Sequence, residues 1–338
     1  MELLSDPVVS IVVPLYNEQE NLSGLHQALA DVMALLALPY EVILVDDGSQ
    51  DATPDLMDAL AFDDPHVVAI HLGRNFGHQA AVSAGIDHAR GQAVIVMDGD
   101  LQDPPDVLPR FIARWKDGYD VVYAVRTGRK EGPVKRLGYF TFYRILKGIS
   151  DLDIPLDSGD FCLMDRKVVD VLKHLPERMR FIRGLRSFAG FRQTGLTYER
   201  AARGAGEPKY RLRNLVYLAV DGLISFSSYP LRLVTYLGIF TIIIAFVLLV
   251  WAVTSAIWNG PVPAGWASIV VTVLFMGSIQ LISLGIMGEY LRLIFLETKQ
   301  RPTYIVREIR RRDSRDRSGH AIDPPRQREE QGESEVST

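Results

Sequence analysis

Short apolar runs alternate with amphipathic stretches between residues 8 and 124 of the chain. The runs are rich in Val and Ile, as buried strands are, and the stretches between them carry apolar positions at helical spacing. The predicted strands cover residues 8–13, 41–45, 67–72, 93–97 and 121–124, and the predicted helices cover 21–36, 53–61, 79–89 and 107–116. This alternation predicts an α/β domain in which helices cover both faces of a parallel sheet.

A second pattern begins at Leu233, because from there to Gly288 the chain contains no Asp, Glu, Lys or Arg. The stretch is long enough for two membrane-spanning helices of about 20 residues each. Gly and Pro residues interrupt it at 259–265. We therefore predict a transmembrane hairpin with helices at 233–258 and 266–287. A buried hairpin of a soluble protein fits less well, since soluble helices keep a polar face.

Basic residues flank the hairpin on both sides, whereas the loop between its helices carries no charge. By the positive-inside rule both termini face the cytoplasm, in a multi-pass protein of the cell (inner or plasma) membrane. The predicted organisation is a cytoplasmic α/β domain at 1–209, amphipathic interfacial helices at 210–232, the transmembrane hairpin at 233–288, and a basic cytoplasmic segment with a disordered tail at 289–338.

The composition supports this division and excludes one class of partner. Hydrophobic residues make up 48% of the 338, and the mean hydropathy of +0.08 is high for a soluble enzyme. A net charge of -4 argues against nucleic acid as a partner. The N-terminus lacks the basic and apolar regions of a signal peptide, so we expect the first domain to stay in the cytoplasm. The single cysteine, Cys162, would remain reduced there.

Polar side chains follow three of the predicted strands at the points where the strands end. Because the carboxyl ends of parallel strands meet at one edge of a sheet, these side chains are expected to form one nucleotide crevice. Asp98 and Asp100 lie two apart in an extended segment and can point to the same side, and such hard oxygen donors suit Mg²⁺ or Mn²⁺. Taken singly, each cluster can also be turn and helix-cap chemistry. The clusters comprise Pro14, Tyr16 and Glu18 after the first strand, Asp46 and Asp47 after the second, and Asp98, Asp100 and Gln102 after the fourth.

Glycine-rich phosphate loops are absent from the sequence. There is no Gly-x-Gly-x-x-Gly after a predicted strand, which argues against a dehydrogenase, and there is no Walker loop. A metal ion held by carboxylates would then have to neutralise a bound diphosphate.

Four motifs stand at the ends of the predicted strands. They are Ser-Ile-Val-Val-Pro-Leu-Tyr-Asn-Glu at 10–18, Val-Asp-Asp-Gly-Ser at 45–49, Arg-Asn-Phe-Gly at 74–77 and Asp-Gly-Asp-Leu-Gln-Asp-Pro-Pro at 98–105. A Ser-Gly-Asp-Phe motif follows at 158–161. Together these motifs resemble glycosyltransferase family 2, and more narrowly the polyprenyl-phosphate glycosyltransferases, the branch of bactoprenol glucosyltransferases and dolichol-phosphate mannose synthases. The resemblance extends from Val8 to about Tyr304.

The resemblance implies a Rossmann-like GT-A fold, a nucleotide-sugar donor, a Mg²⁺ or Mn²⁺ cofactor and a polyprenyl-phosphate acceptor. It also implies that Asp98 and Asp100 meet the metal and the donor diphosphate, while Gln102 and Asp103 support their loop. Asp160 matches a carboxylate near the reacting centre, so Asp160 and Asp100 are the catalytic candidates. Pro14, Tyr16, Glu18 and Asp47 would line the base and ribose pocket. Asp46 and Gln102 are further donor-binding candidates.

One position departs from the family pattern. Close relatives often read Asp-Phe-Arg-Leu where this chain has Asp-Phe-Cys-Leu at 160–163. A cation is missing there, and we expect Cys162 to be a small buried residue. If that arginine binds a phosphate, its role must fall to another basic residue. The candidates for holding the acceptor phosphate are Arg126, Arg129, Arg166 and Lys209.

These expectations describe a membrane-bound inverting glycosyltransferase that moves one sugar to undecaprenyl phosphate on the cytoplasmic face. UDP-glucose is the first choice of donor, and GDP-mannose is the alternative. A phosphate monoester is largely ionised at neutral pH, so Asp160 need only orient the reaction rather than accept a proton. A nucleotide-regulated scaffold or carrier without enzymatic activity is a further alternative. A homo-oligomer is also open, because a two-helix anchor gains stability from partner helices.

Overall fold

The computed structural model describes residues 6–127, 158–177, 180–199 and 265–312, with scattered positions between 231 and 258. Nearly all of the interfacial segment predicted at 210–232 lies outside these residues, as do Arg129, Lys209 and the chain beyond 312. The described residues form an α/β sheet domain and a long apolar helix.

An eight-stranded sheet forms the centre of the α/β domain. Its strands are β1 (Val9–Leu15), β2 (Tyr40–Asp46), β3 (Val67–Leu72), β4 (Ala93–Val96), β5 (Val121–Thr127), β6 (Ser158–Asp165), β7 (Gln193–Glu199) and β8 (Val306–Arg310). Their order in the sheet is β7-β5-β6-β4-β1-β2-β3-β8. The five strands predicted from the sequence are β1 to β5, and all of them run parallel, as expected. The sequence pattern does not predict β6 and β8, which run antiparallel to their neighbours.

Helices cover both faces of this sheet. They are α1 (Leu22–Leu36), α2 (Thr53–Asp63), α3 (His78–His88), α4 (Leu108–Lys116), α5 (Arg166–His174) and α6 (Ile182–Phe188), with a 3-10 turn at Pro105–Val107 before α4. Side chains alternate along each strand, so Ile11 and Val13 pack with α1, α2 and α4 on one face. Val12 packs with α3, α5 and α6 on the other face. Every side chain of β1 is buried as a result.

The α3 helix approaches β1 closely because of Gly85. A Cβ atom on Gly85 would lie 2.2 Å from the Val12 Cγ1 atom, so any larger residue would push the helix away from the sheet. The close contact sets the first turn of α3, which carries His78, beside the loop that follows β4.

A long apolar helix, α7 (Trp266–Thr298), precedes β8 in the chain. It continues past 287, its predicted end, because the charged residues that follow are good helix formers. Its part Phe275–Thr298 has a mean hydropathy of 1.5 and is the one segment of the described residues that is long and apolar enough to cross a membrane. The positions described between 231 and 258 are helical, but most of the first predicted span lies outside the described residues. The two-helix hairpin and the multi-pass topology are therefore not confirmed.

The segment after α7 returns to the sheet domain. β8 pairs antiparallel with β3, and the Gly73 N–H donates to the Ile305 carbonyl at 2.8 Å. The Tyr304 hydroxyl donates to Asp87 Oδ2 at 2.8 Å. The sequence predicts only a basic segment here, because Arg307, Glu308 and Arg310 hide the strand pattern. Charged side chains are common on such edge strands, where they oppose pairing with other chains.

Candidate active site

The loops that follow β1 and β2 are tied together by hydrogen bonds. The Asn17 N–H donates to Ser49 Oγ at 3.0 Å, and the Gln50 N–H donates to Asn17 Oδ1 at 2.8 Å. The Glu18 N–H donates to Thr53 Oγ1 at 3.0 Å. The structure thus brings together the first two polar clusters that the sequence predicts.

The three pocket residues predicted in the first cluster have different surroundings. Tyr16 is 38% exposed and open to a ligand. Pro14 lies inside the sheet, paired in register with Val45. Glu18 accepts a hydrogen bond from Asn21 Nδ2 at 2.7 Å, so its carboxylate also holds the start of α1.

Asp47 fastens the loop between β3 and α3. Its two carboxylate oxygens accept the backbone N–H groups of Phe76 and Gly77, at 2.7 and 2.9 Å. Gly77 has a φ of 101°, which other residues rarely adopt. Burial raises the pKa of Asp47 despite these two bonds. The carboxylate predicted to contact the nucleotide therefore also shapes the loop beside it.

Asp46 belongs to a partly buried network of polar side chains that also contains His71 and Asp58. Its Oδ1 accepts the Ser49 N–H at 2.8 Å, and its Oδ2 lies 3.4 Å from His71 Nδ1. His71 Nε2 lies 2.9 Å from Asp58 Oδ1 on α2. Burial favours a higher pKa for Asp46, but the hydrogen bonds from His71 and Ser49 outweigh it and hold the pKa below its usual range. Asp46 thus supports the pocket from behind.

The loop after β4 presents Asp98 and Asp100. Asp100 Oδ1 accepts the Gln102 N–H at 3.1 Å, and Leu101 between them adopts a left-handed φ of 56°. Burial, only partly offset by His78, raises the pKa of Asp98 to about 6, and the neighbouring carboxylates add to the rise. The loop therefore concentrates more negative charge than its own cations compensate.

Gln102 and Asp103 are the buried side of this loop. The Tyr198 hydroxyl of β7 donates a hydrogen bond to Asp103 Oδ1. Asp103 therefore anchors the loop to the sheet, and its support of a metal loop stays a prediction.

Asp160 lies in β6 and faces the first turn of α3. Its Oδ2 accepts a hydrogen bond from Gln79 Nε2 at 2.9 Å, and its Oδ1 lies 3.3 Å from Arg183 Nη2. Burial favours a higher pKa, but the His78 hydrogen bond and the charges of Arg183 and Arg186 hold the pKa of Asp160 well below its usual range. Asp160 is therefore ionised at neutral pH.

The His78 side chain lies between Asp98, in the loop after β4, and Asp160, in β6. Its Nε2 atom lies 3.8 Å from Asp98 Oδ1 and 3.5 Å from Asp160 Oδ2. Burial favours a lower pKa for His78, but Asp160 and Asp98 outweigh it and raise the pKa. The carboxylates after β4 and within β6 thus share one cationic neighbour.

Sequence reasoning missed the residues that surround Asp160. Gln79 donates to Asp160 and accepts the Ile182 N–H at 3.0 Å, so it links α3 to α6. The spacing of Arg183 and Arg186 could have indicated α6, because residues three apart lie on one face of a helix.

The basic residues predicted for the acceptor phosphate do not gather here. Arg166 lies at the opposite end of β4, where Nε donates to the Gly91 carbonyl at 2.9 Å and Nη2 to the Ala89 carbonyl at 3.0 Å. The phosphate role predicted for Arg166 does not fit this position, because its guanidinium serves two carbonyls on the far edge of the sheet. Arg126 lies in β5, in register with Tyr198. Arg129 and Lys209 lie outside the described residues.

Divalent-metal chemistry fits the loop after β4 only in part. Within the described ranges, no group of three or more His, Cys, Asp or Glu side chains could hold a metal ion by itself. Asp98 and Asp100 nevertheless offer hard oxygen donors in a region of excess negative charge. Mg²⁺ is commonly held by one or two carboxylates together with substrate phosphates. The donor set therefore fits a metal that arrives with a phosphorylated ligand.

Comparison with known proteins identifies the family. Residues 10–172 match the domain described as glycosyl transferase family 2. An uncharacterised glycosyltransferase of Bacillus subtilis is 44% identical over 88% of this chain and 93% of its own length. A prophage bactoprenol glucosyl transferase homologue of Escherichia coli is 40% identical over 90% of this chain and 99% of its own length. The chain belongs to glycosyltransferase family 2.

Membership of glycosyltransferase family 2 makes the protein a glycosyltransferase and confirms the predicted GT-A-like α/β fold. The structure of a mannosyltransferase from Pyrobaculum calidifontis, in complex with GDP-Man and Mn²⁺, overlaps 85% of this chain and 88% of its own length. The sequence identity is 18% and the TM-score is 0.45. The individual roles of Asp98, Asp100 and Asp160 stay predictions.

Proposed function

We propose that this family 2 member is a membrane-bound, inverting glycosyltransferase that moves one glucose from UDP-glucose to undecaprenyl phosphate on the cytoplasmic face. One observation carries the proposal. Carboxylates from two strands, Asp98 and Asp160, share His78 at the edge of the sheet where ligands bind in α/β folds. Similarity to a bactoprenol glucosyl transferase homologue over 90% of the chain supports a polyprenol-linked acceptor.

The loops after β1 and β2 form the donor side of this site. Their mutual hydrogen bonds hold Tyr16 at the surface, where its ring can stack on a nucleotide base. Asp47 holds the Phe76 and Gly77 loop beside it. In this proposal a preformed pocket binds the nucleotide, and little ordering energy is spent when the donor enters.

The leaving nucleoside diphosphate gains negative charge during transfer. A divalent cation bound by Asp98 and Asp100 would neutralise that charge when the donor is present. Burial and acidic neighbours raise the pKa of Asp98 to about 6, so its carboxylate is mostly ionised at neutral pH and can ligate a cation there.

The acceptor needs little activation. Its phosphate oxygen forms the new bond to the anomeric carbon, and the bond to the nucleoside diphosphate breaks on the opposite face. A phosphate monoester has a second pKa of about 6 and is mostly ionised at neutral pH. Asp160, which Gln79 and Arg183 hold in place, therefore orients the reacting groups rather than taking a proton.

The membrane helix and β8 bring this site to the lipid. α7 offers one segment that is long and apolar enough to span a bilayer, and β8 joins the sheet eight residues after it, at Val306. The chain between them is too short to let the sheet domain move far from the membrane. A lipid-linked acceptor can thus reach the site without leaving the bilayer.

The test uses the full-length protein, reconstituted with undecaprenyl phosphate and Mg²⁺ or Mn²⁺. Radiolabelled UDP-glucose, UDP-GlcNAc and GDP-mannose are supplied in separate reactions. We expect a chloroform-extractable glycolipid from UDP-glucose. A glycolipid formed only from GDP-mannose would identify GDP-mannose, rather than UDP-glucose, as the donor. If none of the three donors yields a glycolipid, the proposed function is wrong. Nucleotide binding without product would favour the scaffold.

A further inference from the structure

A fully buried arginine lies behind Asp160. Arg186 has 0% of its surface exposed, and within the described residues none of its three guanidinium nitrogens donates to a nitrogen or oxygen atom. Its neighbours are the Cys162 thiol and the Tyr123 ring. Burying a cation without hydrogen bonds is costly, and an apolar side chain of similar length would fill the space more cheaply. The position therefore calls for an explanation other than packing.

The geometry relates Arg186 to the active-site strand. Asp160 and Cys162 lie two residues apart in β6, so their side chains point to the same face of the sheet, which α6 covers. Arg183 lies within 3.3 Å of Asp160, and Arg186 follows three residues later on the same side of α6. The Arg186 Cζ atom lies 5.1 Å from the centroid of the Tyr123 ring. Tyr123 is the residue on β5 that pairs in register with Cys162.

We propose that Arg186 is a positioning residue for glycosyl transfer: from α6 it supplies a buried positive charge beneath Asp160 and Cys162 of β6, and it holds Asp160 towards the reacting centre. The proposal rests on the proposed function, because it gives Asp160 a part in transfer.

The local charges agree with this role. Burial raises the pKa of the Cys162 thiol, and the Arg186 guanidinium acts in the opposite direction, so the two side chains are close neighbours. Arg186 also stabilises the ionised form of Asp160, together with His78 and Arg183. Arg183 contacts the carboxylate directly, whereas Arg186 acts through its charge and its position below the strand. Without Arg186, the ionised form of Asp160 should be less stable and its side chain less firmly positioned.

A charge-relocation experiment separates this role from ordinary packing. Arg186→Met removes the cation, Cys162→Arg adds a second one, and the double variant Cys162→Arg/Arg186→Met moves the charge from the helix to the strand. The matched control is Arg90→Met, which breaks the ion pair between a half-exposed arginine and the buried Glu41 at the other end of the sheet. Turnover number, KM for the donor used by the wild type, and thermal unfolding midpoint are measured for all variants in full-length protein.

We expect Arg186→Met to lower kcat by about tenfold or more while KM stays within about twofold, because the defect lies in orientation rather than donor binding. Its unfolding midpoint should be unchanged or higher, because a costly buried charge has been removed. Cys162→Arg should unfold at a lower temperature, since two cations then share one buried space. The double variant should recover most of the lost kcat, and Arg90→Met should lose stability but keep kcat.

Each measured result either supports or overturns the positioning role of Arg186. Wild-type kcat in Arg186→Met, or an equal loss of kcat in Arg90→Met, would overturn the inference. If Arg186→Met does not fold, the double variant decides: recovered transfer supports the inference, and folded but inactive protein overturns it. If the wild type itself forms no glycolipid from any donor, the proposed function fails and this inference fails with it. An active wild type with an unaffected Arg186→Met overturns this inference alone.

Discussion

The His78 imidazole lies 3.5 Å from the Asp160 carboxylate and joins the start of α3 to β6. The same ring faces Asp98 at 3.8 Å, so one side chain balances acidic groups that come from two strands. The two carboxylates raise the pKa of His78, so a charged imidazole can lie between them.

His78→Gln tests that balance. Glutamine can still donate a hydrogen bond but carries no charge, so we expect kcat for glycolipid formation to fall by about tenfold or more. His88→Gln is the control, because His88 lies at the far end of the same helix, where its Nδ1 atom is 2.8 Å from the Ala84 carbonyl. Equal activity in the two variants would show that His78 is not needed for transfer.

Asp47→Asn tests the loop beside the donor pocket. Asparagine keeps only one oxygen acceptor, so either the Phe76 or the Gly77 N–H loses its bond. We expect KM for the nucleotide-sugar to rise by about tenfold with a smaller change in kcat. Asp55→Asn in the first turn of α2 changes the same charge away from this loop and should leave KM as it is. A KM change of the same size in both variants would count against the pocket.

The pair of His71 and Asp46 predicts a pH dependence of stability. Burial acts to lower the pKa of His71, but hydrogen bonds to Asp46 and Asp58 raise it above its ordinary value of 6.5. A raised folded-state pKa means that this stabilisation is complete below pH 6.5 and is lost as pH rises through the folded-state pKa. In His71→Gln the free energy of unfolding should drop by about 1 kcal/mol at pH 6 and by less at pH 9. Urea unfolding at both pH values measures it, and an equal loss at both would reject a charged His71.

The contact between Tyr304 and Asp87 predicts that the segment after α7 stabilises the sheet domain. Tyr304→Phe removes a 2.8 Å hydrogen bond and should cost about 1 kcal/mol. Asp87→Asn and the double variant complete a cycle, in which the losses should not add, because the residues are direct partners. Additive losses would mean that this segment does not dock as the structure has it.

Much of the sheet could be predicted because its strands are buried on both faces. Every side chain of β1 and β3 is buried, and each strand is apolar except for one residue, Ser10 in β1 and His71 in β3. Their neighbours in the sequence show helical spacing. β8 carries three charges in five residues, so no apolar run reveals it. β6 was recognised only as a motif, because its pairing with β4 and β5 depends on tertiary contacts.

The acidic half of the site was also readable, since Asp98 and Asp160 lie in motifs at or near strand ends. The basic residues around Asp160 could not be predicted from the sequence. Arg183 reaches Asp160 only because α6 packs across β6, and the sequence alone does not show which helix covers which strand. Arg166 shows the same limit, because the sequence does not reveal that its guanidinium lies at the opposite end of β4 from Asp98.

The most direct test of the account is the structure of the lipid product made from UDP-α-glucose and undecaprenyl phosphate by the full-length protein. Mass spectrometry counts the hexoses, and NMR coupling at the anomeric carbon gives the linkage. Single displacement predicts one glucose per lipid in the β configuration. A lipid that carries a polymer, or an α-linked glucose, would contradict the account.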